Sequence, residues 1–238
     1  MAQFFESFLD FLFPSQCLIC EKDLTHAQEI CKSCLSGMDY ISPPICLKCG
    51  VPFHSETEKD HLCGTCLTSI VYFTTARAVG RYDGMLQEAI HQFKYKRKTL
   101  LAKPLGALMG NHNPDSFDFE SYDLFVPVPL HLRRLRERGF NQALSLAKCL
   151  GEKYQIPIDC MGLKRTRWTE PQINLTRKER QRNVQGVFSI HDKDRFRSRN
   201  ILLIDDVYTS GSTVNECAKV LMNAGTAQVD VFTLCRAV

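Results

Sequence analysis

No run of apolar residues in this chain approaches the roughly 18 that a membrane-spanning helix requires. A secretion signal is missing too: the opening "MAQFFESFLDFLFP" has no basic stretch, holds Glu6 and Asp10 within its apolar run, and offers no small-residue cleavage site. Phe5, Phe8, Leu9 and Leu12 fall instead on one face of a short helix that stops before Pro14. These absences argue against a membrane or secreted protein and predict a cytoplasmic one. Internal repeats and low-complexity segments are lacking in the larger part, and 44% hydrophobic with 24% charged residues is a globular composition. Basic residues are scarce at one end: residues 1–70 hold 4 Lys and Arg against 9 Asp and Glu, a net of −5, whereas residues 71–238 hold 26 against 17, a net of +9. Phosphates dominate nucleic-acid affinity, so any DNA contact is expected on the basic part.

With 238 residues the chain can bury one ordinary core and carry a small appendage. Cysteine usage draws the boundary. Of twelve cysteines, eight lie in the first 66 residues as four C-x2-C pairs: Cys17/Cys20, Cys31/Cys34, Cys46/Cys49 and Cys63/Cys66. A tight C-x2-C turn aims two thiolates at one point, and two such turns complete a tetrahedron around Zn²⁺. Disulfides fit poorly, because the paired cysteines are close in sequence and no secretion signal precedes them. Two structural zinc sites are therefore predicted, with 17/20/31/34 and 46/49/63/66 as consecutive pairing and an interleaved cross-brace as the alternative. His54 and His61 lie nearby, but eight thiolates already fill two sites. Residues 1–70 are assigned to the N-terminal helix and zinc ribbons, and residues 71–238 to a second domain.

That second part alternates strand and helix signals. Tyr72–Tyr82, "SYDLFVPVPL", Ile158–Leu163, "GVFSI", "ILLIDDVY" and "QVDVFTLCRA" read as strands. The stretches "DGMLQEAIHQFKYKRK", "TLLAKPLGALMGN", "GFNQALSLAKCLGEKY" and "STVNECAKVLMNAG" read as helices. Such alternation predicts an α/β fold around a parallel sheet. Ligands of such sheets sit beyond the carboxyl ends of the strands, and there "ILLIDDVYTSGST" delivers Asp205 and Asp206 to an edge read as facing solvent. Gly211 then lets the backbone curl, so that open amides of a helix start and the hydroxyls of Thr209, Ser210, Ser212 and Thr213 can hold a phosphate. Carboxylates beside a phosphate nest need hydroxyls or a hard cation to bind. A ribose 5-phosphate ligand with Mg²⁺ meets all three demands.

The same stretch resembles the phosphoribosyl pyrophosphate (PRPP) loop of type I phosphoribosyltransferases. That resemblance assigns the ribose hydroxyls to Asp205 and Asp206 and the 5-phosphate to Thr209–Thr213. Together with "FVPVPLHLRRLRERGFNQALSLA", "RTRWTEPQINLTRKERQRNVQGVF" and the paired cysteine knuckles, it makes nearly the whole chain resemble the ComF family, also called GntX-like. The resemblance implies a type I phosphoribosyltransferase-like parallel sheet behind an N-terminal zinc ribbon domain. It also implies a pyrophosphate loop at Val126–His131, a mobile loop at Lys164–Gln185, and a role in handling imported single-stranded DNA during natural transformation. Departure of a diphosphate from an oxocarbenium-like centre calls for cations and Mg²⁺ rather than a protein nucleophile. Among the arginines near these loops, Arg138 and Arg177 are the catalytic candidates. The cluster "FKYKRK" offers Lys94, Lys96 and Arg97 as a DNA-backbone contact; a basic helix end accounts for it equally. Three readings stand at this point: a nucleic-acid-handling protein that binds PRPP, an active phosphoribosyltransferase whose acceptor the sequence does not reveal, and a scaffold for a helicase or recombination mediator.

Overall fold

The computed structural model describes residues 15–24, 28–53, 59–96, 98–112, 117–169 and 176–238. The expected helix at residues 5–12, His54 and Arg97 lie outside them, and so does the side chain of Arg177.

Among the described residues, four parallel strands form the central sheet in the order β1-β6-β5-β2, where β1 is Ala76–Arg81, β2 Leu124–Pro127, β5 Asn200–Tyr208 and β6 Gln228–Arg236. In β5 the run Ile201–Ile204 is continuously apolar because both faces are covered, and in β6 every residue after Gln228 is buried, Asp230 and Thr233 included. Leu202 and Ile204 on one face of β5 join the buried side chains of α3 (Gly84–Tyr95), α4 (Ala102–Asn111) and α6 (Gln142–Tyr154). Ile201 and Leu203 on the other face meet Val214, Cys217, Ala218 and Leu221 of α8 (Ser212–Asn223). Truncating one of these, Leu203→Ala for example, costs about 3 kcal/mol through lost burial and the cavity left behind.

The cysteine-rich part packs on the edge strand. Main-chain bonds run from Ile41 N–H to the Val79 carbonyl (3.0 Å), from Arg81 N–H to Asp39 (2.8 Å) and from Ala76 N–H to Lys48 (2.7 Å), so the open side of β1 is hydrogen-bonded. The first knuckle pair, with α1 (Lys32–Ser36), buries Ile19, Ile30 and Met38 in the core on one face of the sheet. The second, with α2 (Gly64–Thr68), joins the core on the other face through Cys46 and Cys49.

The structure departs from the sequence reading at two places and adds a helix at a third. No strand spans Ile158–Leu163: Ile158 makes a single bridge to Phe125, and the Asp159 carboxylate then accepts from the amides of Met161 (2.8 Å) and Gly162 (2.7 Å), turning the chain. Strand β3 (Leu163–Arg165) begins only after that turn and pairs antiparallel with β4 (Phe188–Ile190). The segment read as a mobile loop contains a helix, α7 (Arg177–Val184), opened by a capping box between Thr176 and Glu179. The arginine run after the pyrophosphate-loop sequence is also helical, α5 (Leu132–Arg138), ending at Gly139 with φ 83° and a bond from its N–H to the Leu135 carbonyl at 2.8 Å.

Candidate ligand cleft and zinc centres

Beyond the carboxyl ends of β5 and β2 lies a cleft of about 750 Å³. Asp205 and Asp206 are on its floor. The two carboxylates differ. Asp206 is 7% exposed, and its Oδ2 lies 2.8 Å from Lys94 Nζ at the end of α3. Its place is therefore within an ion pair rather than at the solvent-facing edge that the sequence suggested. Burial, then the negative charge of Asp206, push the Asp205 carboxyl up to about 7, although Lys94 and Arg165 oppose the rise.

The turn after β5 has the conformation that the sequence called for. Gly211 has φ 76°, and a Cβ there would run into the ring of Tyr208. Gly211 caps α8 without a side-chain hydrogen bond, and Ser210 and Ser212 hydroxyls lie 2.8 Å apart across the turn. At the α8 amino end, where first-turn amides have no intrahelical acceptor, the Ser212 N–H donates to Ser210 Oγ at 3.4 Å, and Thr209 and Thr213 line the cleft.

The opposite wall comes from the loop after β2. Val128 N–H donates to the Ile204 carbonyl at 2.9 Å, continuing the sheet. Asn141 holds the loop from behind: its Nδ2 donates to the Val128 carbonyl (3.1 Å), while its Oδ1 caps α6 through Ala143 N–H (3.0 Å). Arg138 lines the cleft, donates to Gln142 Oε1 at 3.2 Å and sits over the Tyr95 ring at 5.5 Å. Arg165, in sequence one arginine among several on the lid segment, lines the cleft too. It donates to Thr169 Oγ1 at 2.6 Å, and its buried Nε has no hydrogen-bond partner among the described residues. Desolvation, and then the nearby charge of Arg134, depress its pKa. A lone arginine in a short strand carries no sequence signal of this burial. Of the residues proposed for DNA, Lys94 belongs to the cleft and Lys96 is exposed.

The cysteines form two groups of four, Cys17/Cys20/Cys31/Cys34 and Cys46/Cys49/Cys63/Cys66, with sulfurs in each group within 4.8 Å of one another. Pairing is therefore consecutive. Sulfur separations of 3.8 Å (Cys17 to Cys34) and 3.7 Å (Cys20 to Cys31 and Cys49 to Cys63) match the edge of about 3.8 Å of a Zn–S tetrahedron. Amides of Cys31 and Cys63 donate to Cys17 and Cys46 sulfurs at 3.3 Å each, as thiolate acceptors require. Burial works against a thiolate at Cys46, yet amide bonds from Cys49, Cys63 and Lys48 outweigh it and bring its pKa to about 6. The residues fit zinc. His61 stays outside the tetrad, stacked on Phe53 at 3.9 Å with Nδ1 2.9 Å from the Lys59 carbonyl. Among the described residues no helix is long and apolar enough to cross a membrane.

These features define a class: a parallel α/β domain with two aspartates and a glycine turn at the carboxyl end of a central strand, bordered by two four-cysteine knuckle pairs. Residues 8–67 match the double zinc ribbon domain. The chain is 32% identical over 227 residues to the DNA utilization protein YhgH of Escherichia coli, covering 94% of this chain and 97% of that protein. It is 30% identical over 230 residues to competence protein F of Haemophilus influenzae (94% and 98% covered) and 28% identical over 212 residues to competence protein ComFC of Bacillus subtilis (88% and 85% covered). The chain belongs to the ComF family of competence and DNA utilization proteins. Two solved structures are distantly similar: the allosteric regulatory enzyme of purine biosynthesis (20% identity, TM-score 0.38, 56% of this chain and 25% of that one) and a purine phosphoribosyltransferase from Pyrococcus horikoshii (11%, 0.30, 60% and 83%).

Proposed function

We propose that the cleft binds PRPP, or a related ribose 5-phosphate ligand, together with Mg²⁺, and that the protein uses this site while handling imported single-stranded DNA during natural transformation. The observation that carries the ligand is the convergence on one cleft of the Asp205–Asp206 pair, the Gly211 turn and the cationic side chains of Lys94, Arg138 and Arg165. In this reading the α8 amino end and the hydroxyls of Thr209, Ser210, Ser212 and Thr213 take the 5-phosphate, and the two aspartates take the ribose diol. The diphosphate faces the Val126–His131 loop, with Arg138 and Arg165 supplying positive charge. Asp205 and Asp206 are also the residues that would hold Mg²⁺, which would supply the positive charge needed where phosphate and carboxylate oxygens come together. Arg177, at the start of α7, is kept as a second cationic candidate on the lid.

Support for the DNA role comes from the names of the relatives, which refer to DNA utilization and competence, and from the basic balance of residues 71–238. Transfer of the ribose 5-phosphate to an acceptor is the alternative, favoured by the cleft's room beyond the aspartates, where Tyr82, Gln87, His91 and Tyr95 form a further wall. One titration series tests both: purified protein against PRPP with and without Mg²⁺, then against a single-stranded oligonucleotide, with PRPP consumption followed in parallel. Saturable, Mg²⁺-dependent PRPP binding is expected. Its absence at millimolar ligand would overturn the cleft assignment, and oligonucleotide binding no stronger than that of a neutral protein would overturn the DNA role.

A further inference from the structure

The second cysteine group and the Gly211 turn are joined by a continuous set of contacts. Arg236, 7% exposed near the end of β6, donates from Nη1 to the Cys49 carbonyl at 2.6 Å and from Nη2 to Cys49 Sγ at 3.5 Å. Its guanidinium lies 4.2 Å from the centroid of the Tyr208 ring. Tyr208 is paired with Arg236 in the β5–β6 register, is braced edge-on by Phe73, and occupies the space that a Cβ on Gly211 would need. A separate tether reaches the first turn of α8: Asn215 accepts from Tyr72 N–H at 2.8 Å and donates to the Ile70 carbonyl at 3.1 Å, both just beyond the second knuckle pair.

We propose that the zinc centre at Cys46, Cys49, Cys63 and Cys66 controls the anion-binding turn at Thr209–Thr213, with Arg236 as the positioning residue that links them. A guanidinium with its planar fork fixed by a thiolate and a carbonyl is held more firmly than one held by a neutral group. Cys49, as a zinc ligand, would be a thiolate at a fixed position and so would fix Arg236, whose cation over the ring in turn positions Tyr208. With Tyr208 fixed, the turn keeps the φ > 0 conformation at Gly211 that converges its amides. Coupling of two sites is reciprocal, so an anion on the turn must in return hold the metal more tightly. The first centre, Cys17/Cys20/Cys31/Cys34, lacks such contacts among those described and serves as an internal control.

Zinc-loaded full-length protein tests this in two measurements. Hydrogen exchange is followed at residues 49–51 and 209–213, and zinc release to a chromogenic chelator is followed with and without ribose 5-phosphate. In Arg236→Met, exchange should quicken in both segments and one of the two zinc equivalents should leave about fivefold faster or more; Arg236→Lys, which keeps the charge but loses the fork, should fall between Met and wild type. Should Arg236→Met fail to fold, Tyr208→Leu replaces it. That substitution leaves Arg236 on Cys49, and it should quicken exchange at 209–213 and abolish the effect of ribose 5-phosphate on zinc release while both zinc ions stay bound. Quickened exchange in Arg236→Met confined to one segment would overturn the link. The ligand arm separates this inference from the reading of the cleft on which its reciprocal half rests. Ribose 5-phosphate that gives wild type no protection at 209–213 defeats the cleft reading and leaves the Arg236 result to decide the link; protection with both zinc equivalents released at unchanged rates defeats the link itself.

Discussion

Lys94 Nζ and Asp206 Oδ2 lie 2.8 Å apart on the cleft floor, with side chains only 16% and 10% exposed. A largely buried pair of this kind contributes little over an apolar substitute, but losing one partner strands the other charge away from water. Asp206→Leu should therefore destabilise the protein by about 2 kcal/mol, whereas Lys94→Met with Asp206→Leu together should cost less than the sum of the same two singles. A double-mutant cycle read by chemical denaturation checks the coupling.

Asp205 has the opposite sign. Its folded-state pKa is raised to about 7 by burial and by Asp206, above an unfolded value of about 3.9. The stability associated with the protonated carboxyl is fully present below the unfolded pKa and is lost as pH rises through about 7. Asp205→Asn removes this loss, so its advantage in melting temperature over wild type should grow between about pH 5.5 and about pH 8. Scanning calorimetry of wild type and Asp205→Asn at the two pH values checks it; an equal difference at both would show that Asp205 stays ionised throughout. The double substitution Asp205→Ala with Asp206→Ala should abolish Mg²⁺-dependent PRPP binding.

The strand Ile201–Ile204, the acidic pair and the turn glycine are legible in the sequence because each is a local pattern: an apolar run, a charge step, and a residue that tolerates φ > 0. The cysteine spacing announces two tetrads for the same reason, although only the folded geometry decides consecutive pairing. The rest depends on contacts between distant segments. Lys94 reads as the basic end of an amphipathic helix, and nothing within α3 tells that its ammonium turns toward β5. Arg165 and Arg236 look like ordinary surface arginines until β3 meets the cleft and β6 meets Cys49. The helix α5 is seven residues long with only Leu132 and Leu135 at helical spacing and buries no side chain, so its periodic signal is too short to read. It is set by its ends, where His131 Nδ1 accepts from Arg133 N–H at 3.2 Å and Gly139 closes the last turn. At Ile158–Leu163 the apolar pattern misleads, because Asp159 and Gly162 form a turn that periodicity does not weigh.

Gly211 offers a third prediction. At φ 76° any Cβ is strained, and here it would also strike Tyr208. Gly211→Ala should cost about 2 kcal/mol of stability and weaken ribose 5-phosphate binding by at least an order of magnitude, since moving either Tyr208 or the backbone opens the turn. Isothermal titration of a folded Gly211→Ala sample checks the second half; unchanged affinity would place the phosphate elsewhere.

Metal analysis provides the fourth. Freshly purified protein should carry two Zn²⁺ per chain. Cys46→Ser should lose one of them and lower the melting temperature markedly, because structural zinc supplies folding free energy and Cys46 sits 0% exposed in the core on one face of the sheet. The damage should spread beyond the ribbon, since Cys49 in the same tetrad receives Arg236 from β6. A single zinc in the wild type, or a Cys46→Ser protein that keeps two, would refute the two-tetrad assignment.

The DNA surface gives the last prediction, and the structure singles out which residue to change. Lys94, Lys96 and Arg97 form one basic cluster in the sequence, yet Lys94 is neutralised by Asp206 while Lys96, at the end of α3, is exposed. A cation already engaged on the cleft floor contributes little to a phosphate backbone running over the surface. Lys96→Ala should therefore weaken single-stranded DNA binding and reduce the slope of log affinity against log salt by about 0.7, the value for one lost phosphate contact. Lys94→Ala should instead impair PRPP binding and leave the salt slope nearly unchanged. Anisotropy titrations at several salt concentrations, with and without saturating PRPP, separate the two effects. Equal slope changes for both substitutions would mean that the strand enters the cleft itself, in which case PRPP must compete with it; an affinity indifferent to salt would remove the basic α/β part as the DNA surface.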